Sequence, residues 1–139
     1  DLTECLPYDD SAIALWVTGE QLRKMILYML RDEVWDGAHC EFFQFSEGVR
    51  VIYDRQSHIL KEFSLYGEPI DDTKIYKIGL QYYFYLNMKD FFSVSTEDVE
   101  PNGKPRRIAT SCREVLDEYL SCHQGLDHQI SGRIKILSK

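Results

Sequence analysis

The side chains best suited to chemistry are scattered along this sequence, and few of them lie close together. Asp9 and Asp10 are adjacent carboxylates, a pair that can transfer protons or bind a metal ion. Aspartates in turns also accept backbone hydrogen bonds, and a turn or capping role is favoured for this pair. Glu97, Asp98 and Glu100 form an acidic patch, which we interpret as part of a solvated loop.

The histidines and cysteines do not have the spacing of metal ligands. Because there is no CxxC pair and no histidine cluster, the sequence predicts no metal site and no cofactor within these residues. A nucleophile elbow and a phosphate-binding loop are missing as well. We expect free thiols that are buried or half-buried. The residues concerned are Cys5, Cys40, Cys112, Cys122, His39, His58, His123 and His128.

Aromatic residues form two clusters, at residues 42–45 and 82–85. An aromatic ring can stack on a planar ligand, but it can equally fill a core. Since neighbouring residues of an extended chain face opposite sides, some of these rings must point into the core. The residues alone favour a core role for all of them.

The first half of the chain alternates between strand and helix patterns. Residues 12–17 are apolar and rich in strand formers, and Thr18 with Gln21 forms the capping-box pattern that begins a helix. The apolar residues that follow have helical spacing and define one stripe. They are Leu22, Met25, Ile26, Met29 and Leu30.

The rest of the chain is predicted to be mainly strands with one further helix. Residues 41–46 and 49–54 have strand patterns, residues 59–66 return as a strand, and residues 75–85 form a central strand and the loop beyond it. Residues 96–107 are predicted to form an exposed loop or hairpin tip. Ser111 caps the second helix, with a core face of Val115, Leu116, Tyr119 and Leu120, and residues 133–137 form a final strand.

The order of these elements predicts an α+β fold, a mixed β-sheet with helices packed on it, in a single compact domain over residues 1–139. With 44% hydrophobic residues the chain can build a packed core. Its net charge of −7 argues against binding to nucleic acid, which needs clustered Lys and Arg. No apolar run is long enough to span a bilayer.

Seven short motifs run nearly the whole length of the chain. In order they are residues 6–8 (LPY), 17–22 (VTGEQL), 43–48 (FQFSEG), 51–54 (VIYD), 66–71 (YGEPID), 76–79 (YKIG) and 132–134 (GRI). Their order and spacing resemble the C-terminal, substrate-binding domain of the 5′-nucleotidase family. The resemblance implies that residues 1–139 are part of a larger protein.

The resemblance also implies a set of binding residues. In that family two aromatic rings hold the nucleobase between them, and the matching positions here are Phe43 and Tyr83. An aspartate near the ribose hydroxyls matches Asp90, although the family's Gly-Gly-Asp-Gly loop is replaced here by residues 87–90 (NMKD). Arg31 and Arg23 lie on the first predicted helix within reach of a phosphate, and a solvated helix face is the favoured interpretation of both.

The resemblance also implies which parts of the enzyme lie outside this domain. In the family, divalent metals and catalysis belong to a separate N-terminal metallophosphatase domain, which would be the partner of this one. The expected ligand is a nucleotide or nucleoside, the expected parent enzyme a phosphoester hydrolase, and the expected location outside the cytoplasm. The alternative is a non-catalytic ligand- or protein-binding module with a degenerate nucleotide site, in which Phe43 and Tyr83 are core residues.

Overall fold

The computed structural model describes residues 2–37 and 40–138, without the side chains of Thr3 and Cys5. The α-helices in these residues are α1 (Leu2–Cys5), α2 (Gly19–Met29), α3 (Tyr82–Leu86), α4 (Met88–Phe92), α5 (Thr96–Val99) and α6 (Cys112–Cys122). The strands are β1 (Ala12–Thr18), β2 (Val49–Asp54), β3 (Ile59–Leu65), β4 (Glu68–Pro69), β5 (Ile75–Gln81), β6 (Arg106–Ala109) and β7 (Ile134–Leu137). Two 3₁₀ turns, Asp32–Val34 and Glu100–Asn102, complete the described elements.

The strands form two sheets. One is antiparallel with the order β5-β1-β6, and in it Leu15 of β1 lies opposite Ile78 of β5. The other has the order β4-β3-β2-β7, in which β7 runs parallel to β2 and the remaining pairs are antiparallel. The combination of mixed sheets with separate helices confirms the predicted α+β class.

The core consists of side chains from both sheets and from helices α2 and α4. Leu15 and Val17 of β1 and Val51 of β2 are completely buried. Against them pack Ile26 from α2 and Phe92 from α4, both almost fully buried. The first sheet and α2 are therefore fixed relative to each other by burial of apolar surface.

The start of α2 agrees with its sequence pattern. Thr18 accepts a hydrogen bond from the Gln21 amide at 3.2 Å, and the Gln21 side chain accepts one from the Thr18 amide at 2.9 Å. This reciprocal pair confirms the predicted capping box. Four residues of the predicted stripe, all except Leu22, are buried: Met25, Ile26, Met29 and Leu30.

Gly19 allows the start of α2 to pack closely on the turn before β5. The Gly19 amide donates to the carbonyl oxygen of Lys74 at 2.9 Å, and the Glu20 amide donates to that of Asp72 at 3.1 Å. A Cβ atom at residue 19 would overlap the backbone of Asp71. A larger residue would therefore push the helix away from this turn.

The strand predicted for residues 41–46 is wrong, since no strand is assigned to that segment. Phe43 and Phe45 are half-buried and Gln44 is exposed, so the alternation that suggested a strand is present. The segment is instead held by a side chain, as Arg133 Nη1 donates to the Phe45 carbonyl oxygen at 2.6 Å. Alternating burial shows which side chains face the core, whereas a strand also needs backbone hydrogen bonds to a neighbouring strand.

The predicted strand and loop over residues 75–85 are wrong in two respects. Strand β5 ends at Gln81, and residues 82–86 form helix α3 instead of a loop. Strand β5 also lies at the edge of its sheet, and β1 occupies the centre.

The polar stretch at residues 96–107 is also not the exposed loop that was predicted. It contains α5, a 3₁₀ turn and the first residues of β6, and Val99 is buried in the core. Ser95 caps α5 by accepting from the Asp98 amide at 3.3 Å, while the Asp98 side chain accepts from the Ser95 amide at 2.9 Å. This second capping box explains why so polar a segment is helical.

Helix α6 begins as predicted, because Ser111 accepts a hydrogen bond from the Glu114 amide at 3.0 Å. Its predicted core face is wrong. Val115 is 53% exposed, Tyr119 43% and Leu120 36%, and no residue of α6 is buried. Of the four stripe residues only Leu116 is half-buried, so this face of α6 is largely exposed among the residues that the structure describes.

Candidate functional site

One cavity brings together all four residues that the sequence suggested for ligand binding. It has a volume of about 290 Å³ and lies between the end of α2, the segment after residue 40, and helices α3 and α4. Arg31, Phe43, Tyr83 and Asp90 all line it. The rest of the lining is Met29, Cys40, Glu41 and Phe91. The volume is near the lower end of the range for small-molecule sites, so it suits a ligand of modest size.

Phe43 forms part of the wall between two cavities. Its ring packs against those of Phe84 and Phe92, with centroid distances of 5.0 Å in both cases. Phe43 also lines a larger apolar cavity of about 380 Å³ between the two sheets. The ring is half-buried and packs against the core, so it has a structural role as well as access to the 290 Å³ cavity.

Tyr83 lines the same cavity and is far more open than Phe43, with 57% of its surface exposed. Its ring contacts Phe84 and Phe91 edge-on, at centroid distances of 5.6 Å and 5.8 Å. The same two rings also contact Phe43. Phe84 and Phe91 therefore set the relative positions of the two candidate rings, since each packs against both.

Asp90 is exposed and lies in the first turn of α4. Asn87 joins α3 to α4: its side-chain nitrogen donates to the Tyr83 carbonyl oxygen at 2.8 Å, and its own carbonyl accepts from the Asp90 amide at 3.1 Å. Asn87 has a negative φ of −113°. Because none of residues 87–90 has a positive φ, the backbone at this junction needs no glycine.

Arg31 already has partners of its own. Its guanidinium lies 3.9 Å from the centre of the Tyr28 ring, and Nη1 donates to the Tyr28 carbonyl oxygen at 2.7 Å. Nη2 donates to Cys40 Sγ at 3.5 Å, and Nε is 3.7 Å from a carboxylate oxygen of Glu33. These contacts fix the side chain at the cavity wall. Two of the five N–H donors of a guanidinium are used by the hydrogen bonds, so others are available to a ligand.

The charges around the cavity favour a neutral ligand. Arg31 contributes one positive charge, whereas Glu41 and Asp90 contribute two carboxylates, and Glu33 lies beside the arginine. A phosphate inside the cavity would meet two like charges for one opposite charge. The arrangement therefore suits hydroxyl and amino donors that carboxylates accept from, more than it suits a phosphate.

Arg23, the second arginine considered for a phosphate, points elsewhere. Its Nε donates to Asp72 Oδ1 at 3.0 Å, and its Nη2 donates to the Ile70 carbonyl oxygen at 3.2 Å. It thus links α2 to the turn before β5, and it does not line the 290 Å³ cavity.

The paired carboxylates of Asp9 and Asp10 are occupied by hydrogen bonds from the start of two different helices. Asp9 accepts from the Ser111 hydroxyl at 2.6 Å and from the Arg113 amide at 3.1 Å, both in α6 or at its cap. These bonds, that of Ser111 above all, hold the pKa of Asp9 below its ordinary value. Asp10 accepts from the Ser11 and Tyr83 amides. Both residues therefore have the capping role that the sequence favoured.

The structure offers no metal-binding cluster among the residues it describes, where no group of three or more His, Cys, Asp or Glu side chains converges. Cys40 and Cys112 are free and half-buried, and Cys122 is free but exposed, which differs from the expectation for that residue. Burial raises the pKa of the Cys112 thiol. His39 and the Cys5 side chain lie outside the described part of the chain. None of the described helices is long and apolar enough to cross a bilayer.

A profile of the 5′-nucleotidase C-terminal domain family matches residues 1–97. The chain belongs to this family. The match includes β1 to β5 and helices α1 to α4, and so it covers every element that lines the cavity. Helix α6 and strands β6 and β7 lie beyond it. A search of curated proteins found no match to the sequence.

Solved structures with the same fold come from longer enzymes. A 5′-nucleotidase precursor of Thermus thermophilus has 20% identity and a TM-score of 0.76 over 99% of this chain. The NAD nucleotidase of Haemophilus influenzae has 18% identity and a TM-score of 0.71 over 98%. The sulfate thiohydrolase SoxB of T. thermophilus has 15% identity and a TM-score of 0.54 over 94%. This chain spans only 27%, 26% and 23% of those proteins, respectively, so the likeness concerns the fold of one part of each.

Several residues of the cavity were not predicted from the sequence. Glu41 and Phe91 line it and Asn87 holds its helices, yet none of the three has a local motif that indicates such a role. For Asp10 the sequence favoured a turn or capping role, but it did not indicate the bond to α3. Phe91 and Glu41 are each close in sequence to a predicted residue, which was the only available signal. The roles of Phe43, Tyr83, Asp90 and Arg31 as ligand contacts stay predictions.

Proposed function

We propose that this chain is the nucleoside-recognition domain of a 5′-nucleotidase-type phosphoester hydrolase. The base lies between Phe43 and Tyr83, Asp90 accepts from the ribose hydroxyls, and Arg31 lies on the side towards the phosphate. The observation that carries the proposal is the cavity of about 290 Å³ that all four residues line. Membership of the 5′-nucleotidase C-terminal domain family supports the same ligand class.

The chemistry of each contact supports a modest affinity. Stacking of a base on aromatic rings contributes about 1–3 kcal/mol per base. Association itself costs several kcal/mol in lost rigid-body freedom. Since the two carboxylates of the cavity oppose a phosphate, we expect adenosine and AMP to bind with similar affinity, with a Kd on the order of 1 mM.

The catalytic part of the proposal concerns residues outside this chain. Divalent metals in an N-terminal metallophosphatase domain would activate water and stabilise the transferring phosphoryl group. This domain would contribute orientation, by holding the nucleoside so that its phosphate reaches those metals. A location outside the cytoplasm, which the family resemblance implies, belongs to the same proposal.

The test is an NMR titration of the chain with adenosine and with AMP. We expect amide shifts around Tyr83 and Phe91, and a loss of saturable binding in Tyr83→Ala, because removal of one stacking face costs about 1–3 kcal/mol. Tyr119→Ala is the matched control, since Tyr119 is also an exposed tyrosine but lies on α6. Strong preference for AMP over adenosine would contradict the proposed charge balance.

A second pair of variants tests Phe43, the other ring proposed to stack on the base. Phe43→Ala should weaken binding, whereas Phe42→Ala should not, because the exposed Phe42 ring packs edge-on against Trp35 and does not line the cavity. If Phe42→Ala weakens binding and Phe43→Ala does not, the stacking ring has been assigned to the wrong residue. The absence of any nucleoside binding would favour the alternative, a non-catalytic binding module of the same fold.

A further inference from the structure

Helix α3 begins in an unusual way, because its cap comes from a residue far away in the sequence. Gln81, at the N-cap position, makes no side-chain hydrogen bond to the helix. Instead, Asp10 Oδ2 accepts from the Tyr83 amide at 2.6 Å, across a sequence separation of 73 residues. The Ser11 carbonyl oxygen accepts from the Tyr82 amide at 2.8 Å. The first two amides of α3 are therefore bound by the residues that precede β1.

These two hydrogen bonds act where the backbone changes from strand to helix. Residues 75–85 are rich in aromatic and β-branched side chains, which favour a strand, and β5 nevertheless ends at Gln81. A carboxylate at the first helical amides favours the helix through both hydrogen bonding and charge. The ring of Tyr83 projects from the first turn of α3, so its position follows from where the helix begins.

We propose that Asp10 is the positioning residue of the binding site, and that its carboxylate fixes the ring of Tyr83 at the cavity wall. The link to ligand binding depends on the proposed function, because it assumes that Tyr83 stacks on the base. Asp10 itself does not line the 290 Å³ cavity and acts through Tyr83. Asp10 is thus a residue outside the cavity on which binding depends.

The second oxygen of Asp10 explains why this position needs a carboxylate. Oδ1 accepts from the Ser11 amide at 2.7 Å while Oδ2 accepts from Tyr83, so both oxygens are acceptors at once. An asparagine has one acceptor and one donor group. In Asp10→Asn, either the Ser11 amide or the Tyr83 amide must therefore face an NH₂ group, although the side chain has the same shape.

Asp9 provides a matched control one residue away. Its Oδ1 accepts from the Arg113 amide at 3.1 Å, and its Oδ2 accepts from the Ser111 hydroxyl. A hydroxyl can accept as well as donate. In Asp9→Asn the amide oxygen can still accept from Arg113, and the NH₂ group can donate to Ser111. Asparagine at residue 9 can therefore keep both contacts, whereas asparagine at residue 10 keeps only one of its two.

The experiment compares Asp10→Asn with Asp9→Asn by hydrogen exchange and by titration with adenosine. We expect Asp10→Asn to reduce the exchange protection of the Tyr83 amide and to weaken adenosine binding about tenfold, which corresponds to roughly 1.4 kcal/mol. Asp9→Asn should leave both unchanged. A merely structural role of Asp10 would instead lower thermal stability without a selective effect on Tyr83.

Unchanged protection of the Tyr83 amide in Asp10→Asn, together with an unchanged affinity for adenosine, would overturn the inference. If wild-type protein binds no nucleoside but Tyr83 still depends on Asp10, the positioning role is supported and the proposed function fails.

Discussion

Helices α2 and α6 look alike in sequence and differ completely in their surroundings. Each has 11 residues, a hydroxyl side chain at its N-cap and an apolar stripe at helical spacing. In α2 the stripe packs into the core, where Ile26 and the C-cap residue Leu30 are each only 2% exposed. In α6 no residue is buried, and Val115 is 53% exposed. A stripe of apolar residues thus indicates a helix with one apolar face, and it does not indicate what that face contacts.

The family match covers one of these two helices and not the other. Helix α2 lies within the matched residues 1–97 and contributes Met29 to the candidate cavity, while α6 lies beyond them. The anchor of α6 is its first turn, where Cys112 and Arg113 bond to the segment before β1. Because these hydrogen bonds all involve its first turn and no residue of α6 is buried, we expect α6 to open locally more readily than α2.

The largest difference between the two helices should come from shortening one leucine of each apolar stripe: Leu30, the C-cap residue of α2, and Leu120 of α6. Leu30→Ala removes a buried side chain and leaves a cavity, so it should lower the free energy of unfolding by about 2–5 kcal/mol. Leu120→Ala removes a side chain that is 36% exposed, and it should cost about 0.5 kcal/mol. Urea unfolding followed by circular dichroism measures both values.

The same two leucine variants could also contradict the difference in burial between α2 and α6. The two variants remove the same side-chain atoms, so the comparison reports how deeply each leucine is buried. Equal losses from Leu30→Ala and Leu120→Ala would mean that the apolar face of α6 is covered in solution, for example by another copy of the chain. In that case the loss for Leu120→Ala should depend on protein concentration.

The features that the sequence predicted correctly are those that depend on residues a few positions apart. Thr18 and Gln21 are three residues apart, as are Ser111 and Glu114, and both caps are present as predicted. The period of two at residues 49–54 likewise predicted β2. Short-range hydrogen bonds and periodicity are encoded locally, so they can be recognised in one sequence.

The features that were missed depend on contacts between distant residues. The run at residues 82–85 favours a strand by composition, and it is helical because Asp10 and Ser11 bind its first amides. Residues 41–46 alternate like a strand but have no partner strand for their backbone among the described elements. For the cavity, the family resemblance selected residues that line a common space, whereas Asn87, Phe91 and the bond from the Tyr83 amide to Asp10 could be found only in three dimensions.

A smaller effect is expected from removing the hydroxyl cap of each helix. Thr18→Ala should lower the free energy of global unfolding by about 1 kcal/mol, because α2 is part of the core and unfolds with it. Ser111→Ala removes a similar cap, but it should mainly increase hydrogen exchange of the α6 amides. A peripheral helix can open alone, so little of the loss reaches the global transition. If Ser111→Ala shifts the urea midpoint as much as Thr18→Ala, then α6 unfolds together with the core.

The smallest expected effect is that of low pH, which should reduce the hydrogen-exchange protection of α6 and leave that of α2 unchanged. The cap of α2 uses Thr18 and Gln21, which do not ionise, whereas the cap of α6 includes the Asp9 carboxylate. The hydrogen bond from Ser111 and that from the Arg113 amide lower the pKa of Asp9 below its ordinary value of 3.8. The stabilisation is therefore complete above pH 3.8 and is lost as the pH falls through the lower pKa of the folded state.

Amide hydrogen exchange and chemical shifts, followed from about pH 6 downward, should therefore show α6 fraying below pH 3.8 while the amides of α2 stay protected. Asp9→Asn cannot ionise and offers one acceptor and one donor, as a protonated carboxyl does, so it should remove the acid dependence of α6 and give its amides, already at neutral pH, the lower protection that acid gives the wild-type chain. Loss of protection in both helices at one pH would mean that acid acts on the whole fold, through other carboxylates with lowered pKa values such as Asp98, which accepts from the Ser95 amide.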